Sequence, residues 1–233
     1  MLLAFETSAK AASVALFDGE TLLGESYQNT GLTHSQTLLT MAEDLMKNCG
    51  ISAKDLTAVA VAAGPGSFTG VRIGVAAAKG FAWGKEIPCY GVSTLRAMAL
   101  GLGVHNGYIL CAMDARRNQV YTALFSAENG VLTSIIPDSA MAVADLQSHL
   151  EKLDAPIYTV GDGSRLCYDR LKENVSNLLP PVPHKMHQRA SGVGLAAMEE
   201  IAAGNSGCGE TLIPNYLRLS QAERERLEKE KEA

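Results

Sequence analysis

A gapless shift of 108 residues lays Leu2–Phe17, LLAFETSAKAASVALF, over Leu110–Phe125, LCAMDARRNQVYTALF. Ala4 meets Ala112, Ala15-Leu16-Phe17 meets Ala123-Leu124-Phe125, and an acid (Glu6 or Asp114) ends the first strand of each copy. Two apolar runs around a short polar stretch make a β-hairpin pattern. Turn signals follow both copies, Asp18-Gly19 after the first and Glu128-Asn129-Gly130 after the second. A repeat on this scale restricts the chain to two similar units, each of ordinary domain size.

The first unit predicts strands at Leu2–Thr7, Ser13–Phe17 and Leu22–Tyr27. A helix follows over Thr33–Cys49, opened by a Thr33/Gln36 capping box and closed by Gly50. Next come a buried strand Ala58–Ala63, a glycine-rich loop, a helix Gly70–Trp83, a strand Ile87–Val92 and a helix Ser93–Leu102. After its hairpin the second unit predicts a helix near Met141–Leu150, a strand Pro156–Val160 and a helix Ser164–Lys172. A proline-rich connector at Leu179–Pro183 leads to a helix capped by Ser191 and running to Ala203; Pro214–Arg218 is a short last element. The result is a duplicated βββαβα unit, an α/β fold of mixed sheets flanked by helices. The boundary lies near Leu102–Gly107, giving lobes 1–104 and 105–219 and a charged tail 220–233. QAERERLEKEKEA has five Glu, four basic residues and one large apolar side chain, Leu227, the pattern of a solvated helix or frayed end.

Composition excludes several classes. Hydrophobic residues make up 47% and charged residues 19%, which excludes a disordered chain. A net charge of -5 without a basic run argues against nucleic-acid binding by this chain alone. Cys49, Cys89, Cys111, Cys167 and Cys208 are too far apart for CxxC motifs and odd in number, so neither a zinc ribbon nor a disulfide framework is expected. No basic leader opens the chain and no apolar run reaches membrane-spanning length, so a cytoplasmic protein is expected.

Gly64-Pro65-Gly66-Ser67-Phe68-Thr69-Gly70 could offer backbone N–H groups to an anion at a helix start. It lacks the Lys of a P-loop, and Pro65 removes a donor. As a phosphate site it is a weak signal, and a tight strand-to-helix turn that lets helix and sheet approach closely is the better reading. Glu6-Thr7-Ser8 could direct an acid at a metal or phosphate, or simply be an exposed, solubilising strand end. His34 has Leu38 rather than a ligand four residues on, so it reads as a packing or capping residue. His184-x-x-His187 follows the prolines without further ligand spacing.

Two helices are more apolar than one sheet face requires. On a wheel, the polar residues of Val71–Trp83, Arg72 and Lys79, lie about 20° apart, and apolar side chains and glycines fill the rest. In the 33–49 helix, Leu38, Leu39, Met41, Ala42, Leu45, Met46 and Cys49 span about 160°, wider than the roughly 100° stripe of a surface helix. Either the two helices cover each other, or a partner covers both.

These stretches, with THSQTLL, AAGPGSFTGVRIGVAAAKGFAWGKEIPCYGVSTL, GDGS and IPNYLR, resemble the actin/sugar-kinase/heat-shock ATPase (ASKHA) superfamily. Within it they resemble the TsaB (YeaZ) family, part of the machinery that makes threonylcarbamoyladenosine in tRNA. The resemblance implies two ribonuclease-H-like lobes. The catalytic relative TsaD has two metal-binding histidines just after the Gly-Val of this frame; here those positions fall on Thr94 and Met98. Thr is a poor ligand and Met suits only soft metals. Glu6, Ser8, Gly161 and Gly163 are left as vestigial nucleotide-site candidates, with Asp162 in the turn opposing a nucleotide's charge. The resemblance therefore implies a non-catalytic scaffold or activator with no tightly bound cofactor, the ATP and metal residing on its partners. Those partners are TsaD in a heterodimer and the ATPase TsaE, with tRNA reached only through the complex and a homodimer formed when the chain is alone. The implied interface is a four-helix bundle through Leu38, Met41, Leu45, Val71, Val75, Ala78 and Ala82. Three rival functions make other demands. A kinase-like enzyme needs a catalytic acid at the cleft, a glycoprotease-like metallopeptidase needs the missing histidines, and a stand-alone binding module needs no partner.

Overall fold

The computed structural model describes residues 1–207 and 209–218. The charged tail 220–233 and Cys208 lie outside them. The first sheet runs in the order β3-β2-β1-β4-β5, from β1 (Leu2–Glu6), β2 (Ala12–Asp18), β3 (Thr21–Gln28), β4 (Ala58–Gly64) and β5 (Cys89–Ser93). Its first three strands are antiparallel and the rest parallel, with α1 (His34–Asn48) and α2 (Phe68–Trp83) as crossovers. After α3 (Thr94–Leu102), the second sheet runs β8-β7-β6-β9, from β6 (Gly107–Asp114), β7 (Gln119–Glu128), β8 (Val131–Ala142) and β9 (Ile157–Val160). The helices α4 (Val143–Leu150), α5 (Ser164–Leu171) and α6 (Ala190–Ala202) complete the chain. No helix among the described residues is long and apolar enough to cross a membrane. The four described cysteines, Cys49, Cys89, Cys111 and Cys167, are free thiols.

Each sheet is covered on both faces, so the strands are apolar almost throughout. Leu3, Phe5, Val59 and Val61 pack under α1 and α2, and Leu110, Ala112 and Ile157 under α4 and α5. The inner faces meet a central layer of two helices that the halves exchange. Leu95, Met98 and Ala99 of α3, from the first half, pack on Ile109, Cys111 and Phe125 of the second sheet. Ala190, Val193 and Ala197 of α6, from the second half, pack on Leu2, Ala4, Ala15 and Ala60 of the first. The two helices touch where side chains vanish, since a Cβ on Gly192 would come within 2.9 Å of the Ala97 carbonyl carbon. A lobe boundary at 104/105 is thus a boundary along the chain but not in the packing.

The duplication is real, but its register shifts by one residue. In the first hairpin Leu3 pairs with Leu16, and in the second Leu110 pairs with Leu124. Leu3 and Leu110 both face the outer helices, so the first strands superpose at a shift of 107 and the second strands, Leu16 on Leu124, at 108. A one-residue difference in the turn accounts for this, and in a strand one residue reverses the face. Asp114 therefore corresponds to Thr7, not to Glu6.

Two expected caps differ. Thr33 sits at the N-cap of α1 without a side-chain cap bond, and Gln36 N donates to its backbone oxygen at 2.9 Å. Ser191 does not cap α6, whose N-terminus is served from afar. Ala190 N donates to Ser13 Oγ at 3.1 Å, and Ser191 N donates to Glu25 Oε1 at 3.0 Å. A carboxylate suits the positive end of the helix dipole.

Candidate functional site

A cleft of about 640 Å³ opens between the lobes. Its walls are the β1–β2 turn at Ser8–Lys10, the start of α2 at Gly66–Thr69, the β6–β7 turn at Met113–Arg116, and Asp162. The β6–β7 turn carries three consecutive non-glycine residues with positive φ, Arg116 at 64°, Arg117 at 56° and Asn118 at 56°. Side chains rarely adopt that conformation; both arginines are exposed, and Arg116 lines the cleft.

Glu6 lies beneath the cleft and is only 1% exposed, so it is not the solubilising strand end that a surface acid would be. Its Oε1 accepts a hydrogen bond from Ser8 N at 2.5 Å, while Oε2 has no partner. Burial pushes its pKa up to about 7, and the Asp162 charge adds to the rise. Asp162 is itself raised by burial, against a hydrogen bond donated by Gln188 Nε2 at 3.3 Å. Ser8 is fully buried, and its Oγ also lacks a partner.

Two N–H groups of the glycine-rich loop are used within the protein. Ser67 N donates to Ser8 O at 2.7 Å, and Ser67 Oγ accepts from Gly70 N at 3.3 Å. Gly66 has Ser8 against it, where a Cβ would lie 2.7 Å from Ser8 Cβ, and a Cβ on Gly70 would collide with Thr7 O. Gly161 has φ +106°, and a Cβ there would strike Ala112 O; one on Gly163 would come within 2.9 Å of Asp114 N. These glycines permit close turns, and close packing accounts for them without a ligand. With two buried acids beside it, Glu6 beneath the floor and Asp162 in the wall, the cleft fits a polyphosphate poorly. Thr94 and Met98 fit a metal no better. Both are buried on α3, and Met98 lies among Ile109, Cys111 and Met113. Among the described residues no group of three His, Cys, Asp or Glu side chains could hold a metal ion. His34 is a packing residue here, its Nε2 lying 2.8 Å from Ala9 O.

The seven residues expected on a partner face, Leu38, Met41, Leu45, Val71, Val75, Ala78 and Ala82, are all buried in the first lobe's own core. A helix lying on a sheet turns its richest apolar stripe to that sheet, so those side chains are unavailable at the surface. The outward face consists of others. Leu39, Ala76, Ala77, Gly80 and Phe81 line a shallow groove between α1 and α2, with Ala53, Gly84 and Lys85 at its rim. Leu39 is 49% exposed and Trp83, at the end of α2, is 86% exposed. The wheel signalled this face through its all-round apolarity but did not say which residues formed it.

The last described residues run back across the first lobe. Asn215 N donates to Ala63 O at 2.6 Å, and Lys79 Nζ reaches Leu212 O at 3.2 Å. Tyr216 stacks on Phe68 at 4.1 Å between ring centres, and its hydroxyl accepts from Arg72 Nε at 2.7 Å. Arg218 Nη1 then donates to Ala115 O at 3.0 Å across the cleft mouth.

The family model described as "TsaD: tRNA N6-adenosine threonylcarbamoyltransferase" matches residues 28–226. The TsaB tRNA threonylcarbamoyladenosine biosynthesis protein of Bacillus subtilis is 34% identical over 99% of this chain and 99% of its own length. Its Escherichia coli counterpart is 34% identical, covering 95% of this chain and 96% of that one. Among solved structures, YeaZ from Pseudomonas aeruginosa superposes with a TM-score of 0.76 at 26% identity, over 93% of this chain and 99% of that one. With identity sustained along the whole length and the two-lobed fold matching, the chain belongs to the TsaB (YeaZ) family and to tRNA threonylcarbamoyladenosine biosynthesis.

Proposed function

We propose that this chain is a non-catalytic subunit that supports TsaD in transferring threonylcarbamoyl to the tRNA adenosine adjacent to the anticodon, in the cytoplasm. The observation that carries the reading is the packing of Thr94 and Met98 into the core, at the two positions where the resemblance expects the relative's metal ligands. With the loop glycines committed to backbone packing, this favours partners as the carriers of ATP and metal, TsaE being the ATPase. The net charge of -5 favours tRNA contact through the complex rather than through this chain alone.

The docking face in this reading is the outer side of α1 and α2, around Leu39, Ala77, Phe81 and Trp83. An apolar groove on these helices, with Leu39 49% exposed and, at the end of α2, Trp83 86% exposed, is an unusual surface for a lone chain, and the same face would pair two copies in the absence of TsaD. Trp83→Glu and Leu39→Glu place unpaired charges there without touching the core, at a cost of several kcal/mol to association. Both variants are expected to fold, to sediment as monomers, to lose TsaD in co-purification and to stop threonylcarbamoyl transfer in the reconstituted system. Full transfer with either charge in place would remove this face, and full transfer without this chain would remove the subunit role.

A further inference from the structure

We propose that the small cavity between α3, β9 and the 183–189 connector is a binding site for a tetrahedral oxyanion, namely a phosphate group. The cavity holds about 170 Å³. A water's share of liquid volume is about 30 Å³, so the space suits one tetrahedral oxyanion and its residual water. It lies apart from the cleft and is independent of the proposed partner face.

Apolar residues of α3, Met98 among them, and Val160 of β9 form its inner walls, and neither element contributes a titratable group. The connector supplies all the polarity, through His184, Lys185, His187 and Arg189. Arg189 is already engaged, its Nη1 3.0 Å from Glu25 Oε2 and its guanidinium over the Tyr27 ring at 4.5 Å. Lys185 has no ion pair among the described residues. His187 Nδ1 is buried without a hydrogen-bond partner, an arrangement that costs free energy until something pairs with it. No carboxylate lines the cavity; the nearby Asp162 is held by Gln188. The His184-x-x-His187 pair, which had no ligand spacing along the sequence, thus converges on one space.

Charge decides between the two chemistries that such a set permits. Two imidazoles and the Met98 thioether could hold a soft metal, but the Lys185 ammonium, which has no ion pair among the described residues, repels a cation and attracts an anion. An anion there would tie α3, which packs on the second sheet, to the connector that leads into α6, which packs on the first.

The test titrates the full chain with inorganic phosphate, sulfate and adenosine monophosphate, by calorimetry and by the histidine ring signals in NMR. Saturable one-to-one binding is expected below about 10 mM. Lys185→Ala and His187→Gln should each weaken it about tenfold, the scale of one charge-assisted hydrogen bond. Phosphate binding as tightly as the nucleotide would make the ligand a free oxyanion, and tighter nucleotide binding would make it a phosphomonoester; either supports the site. No saturation by any of the three overturns the proposal. So does binding unchanged in both variants, or a stoichiometric transition metal lost on changing His184 and His187.

Discussion

Burial keeps the Glu6 carboxyl protonated to about pH 7, whereas its ordinary value is 4.5. Between those two values the folded chain holds a proton that the unfolded chain has released. The contribution of this group to stability is therefore full below about pH 4.5 and is lost as pH rises through 7. Glu6→Gln keeps an oxygen for Ser8 N and abolishes the ionisation. The variant should match the parent at pH 4 and exceed it at pH 8 by on the order of 3 kcal/mol, measured by denaturant unfolding at both pH values. Equal midpoints at pH 8 would mean that the carboxylate is solvated in solution. Sequence reading could name Glu6 as a strand-end acid but could not bury it. Its surroundings are set by residues far along the chain: Gly66 lies against Ser8, and the charge that adds to the rise belongs to Asp162, 156 positions away.

The elements themselves were largely legible, because apolar alternation and punctuation by glycine and proline are local. β8 was not, since its register shifts and it carries Pro137 and Asp138, which mask the alternation of an edge strand. The wheel of α2 reported total apolarity but could not say which stripe the sheet takes, so the residues it suggested for a partner proved to be core. Two glycines of α2 separate these roles. A Cβ on Gly74 would collide with Thr7 Oγ1 and come within 3.2 Å of Val61 Cγ2, whereas one on Gly80 meets nothing within 4 Å. Gly74→Ala should therefore cost about 1–3 kcal/mol despite better helix propensity, and Gly80→Ala should add about 0.5–1 kcal/mol. Thermal unfolding of the two variants checks both signs; a stabilised Gly74→Ala would mean that helix and strand are not in contact.

At the scale of the molecule, the exchange of α3 and α6 makes each half the inner cover of the other. The duplicated hairpins revealed two units, but the exchange was hidden because a helix's destination is not written in its own periodicity. Calorimetry should show one cooperative transition, and a 1–104 fragment should bind hydrophobic dyes and lack a sharp transition, because Leu2, Ala4, Ala15 and Ala60 would lose α6. Two resolved transitions, or a well-folded fragment, would contradict this coupling. The exchange also sets a schedule for synthesis. α3 ends at Leu102 and α6 at Ala202, so the ribosome adds a hundred residues between them. At roughly 5–20 residues per second, the nascent first sheet waits on the order of 5–20 s with one face bare. During that interval the newborn chain is a client for whatever in the cell shields apolar surface, and a codon-slowed message would lengthen the exposure.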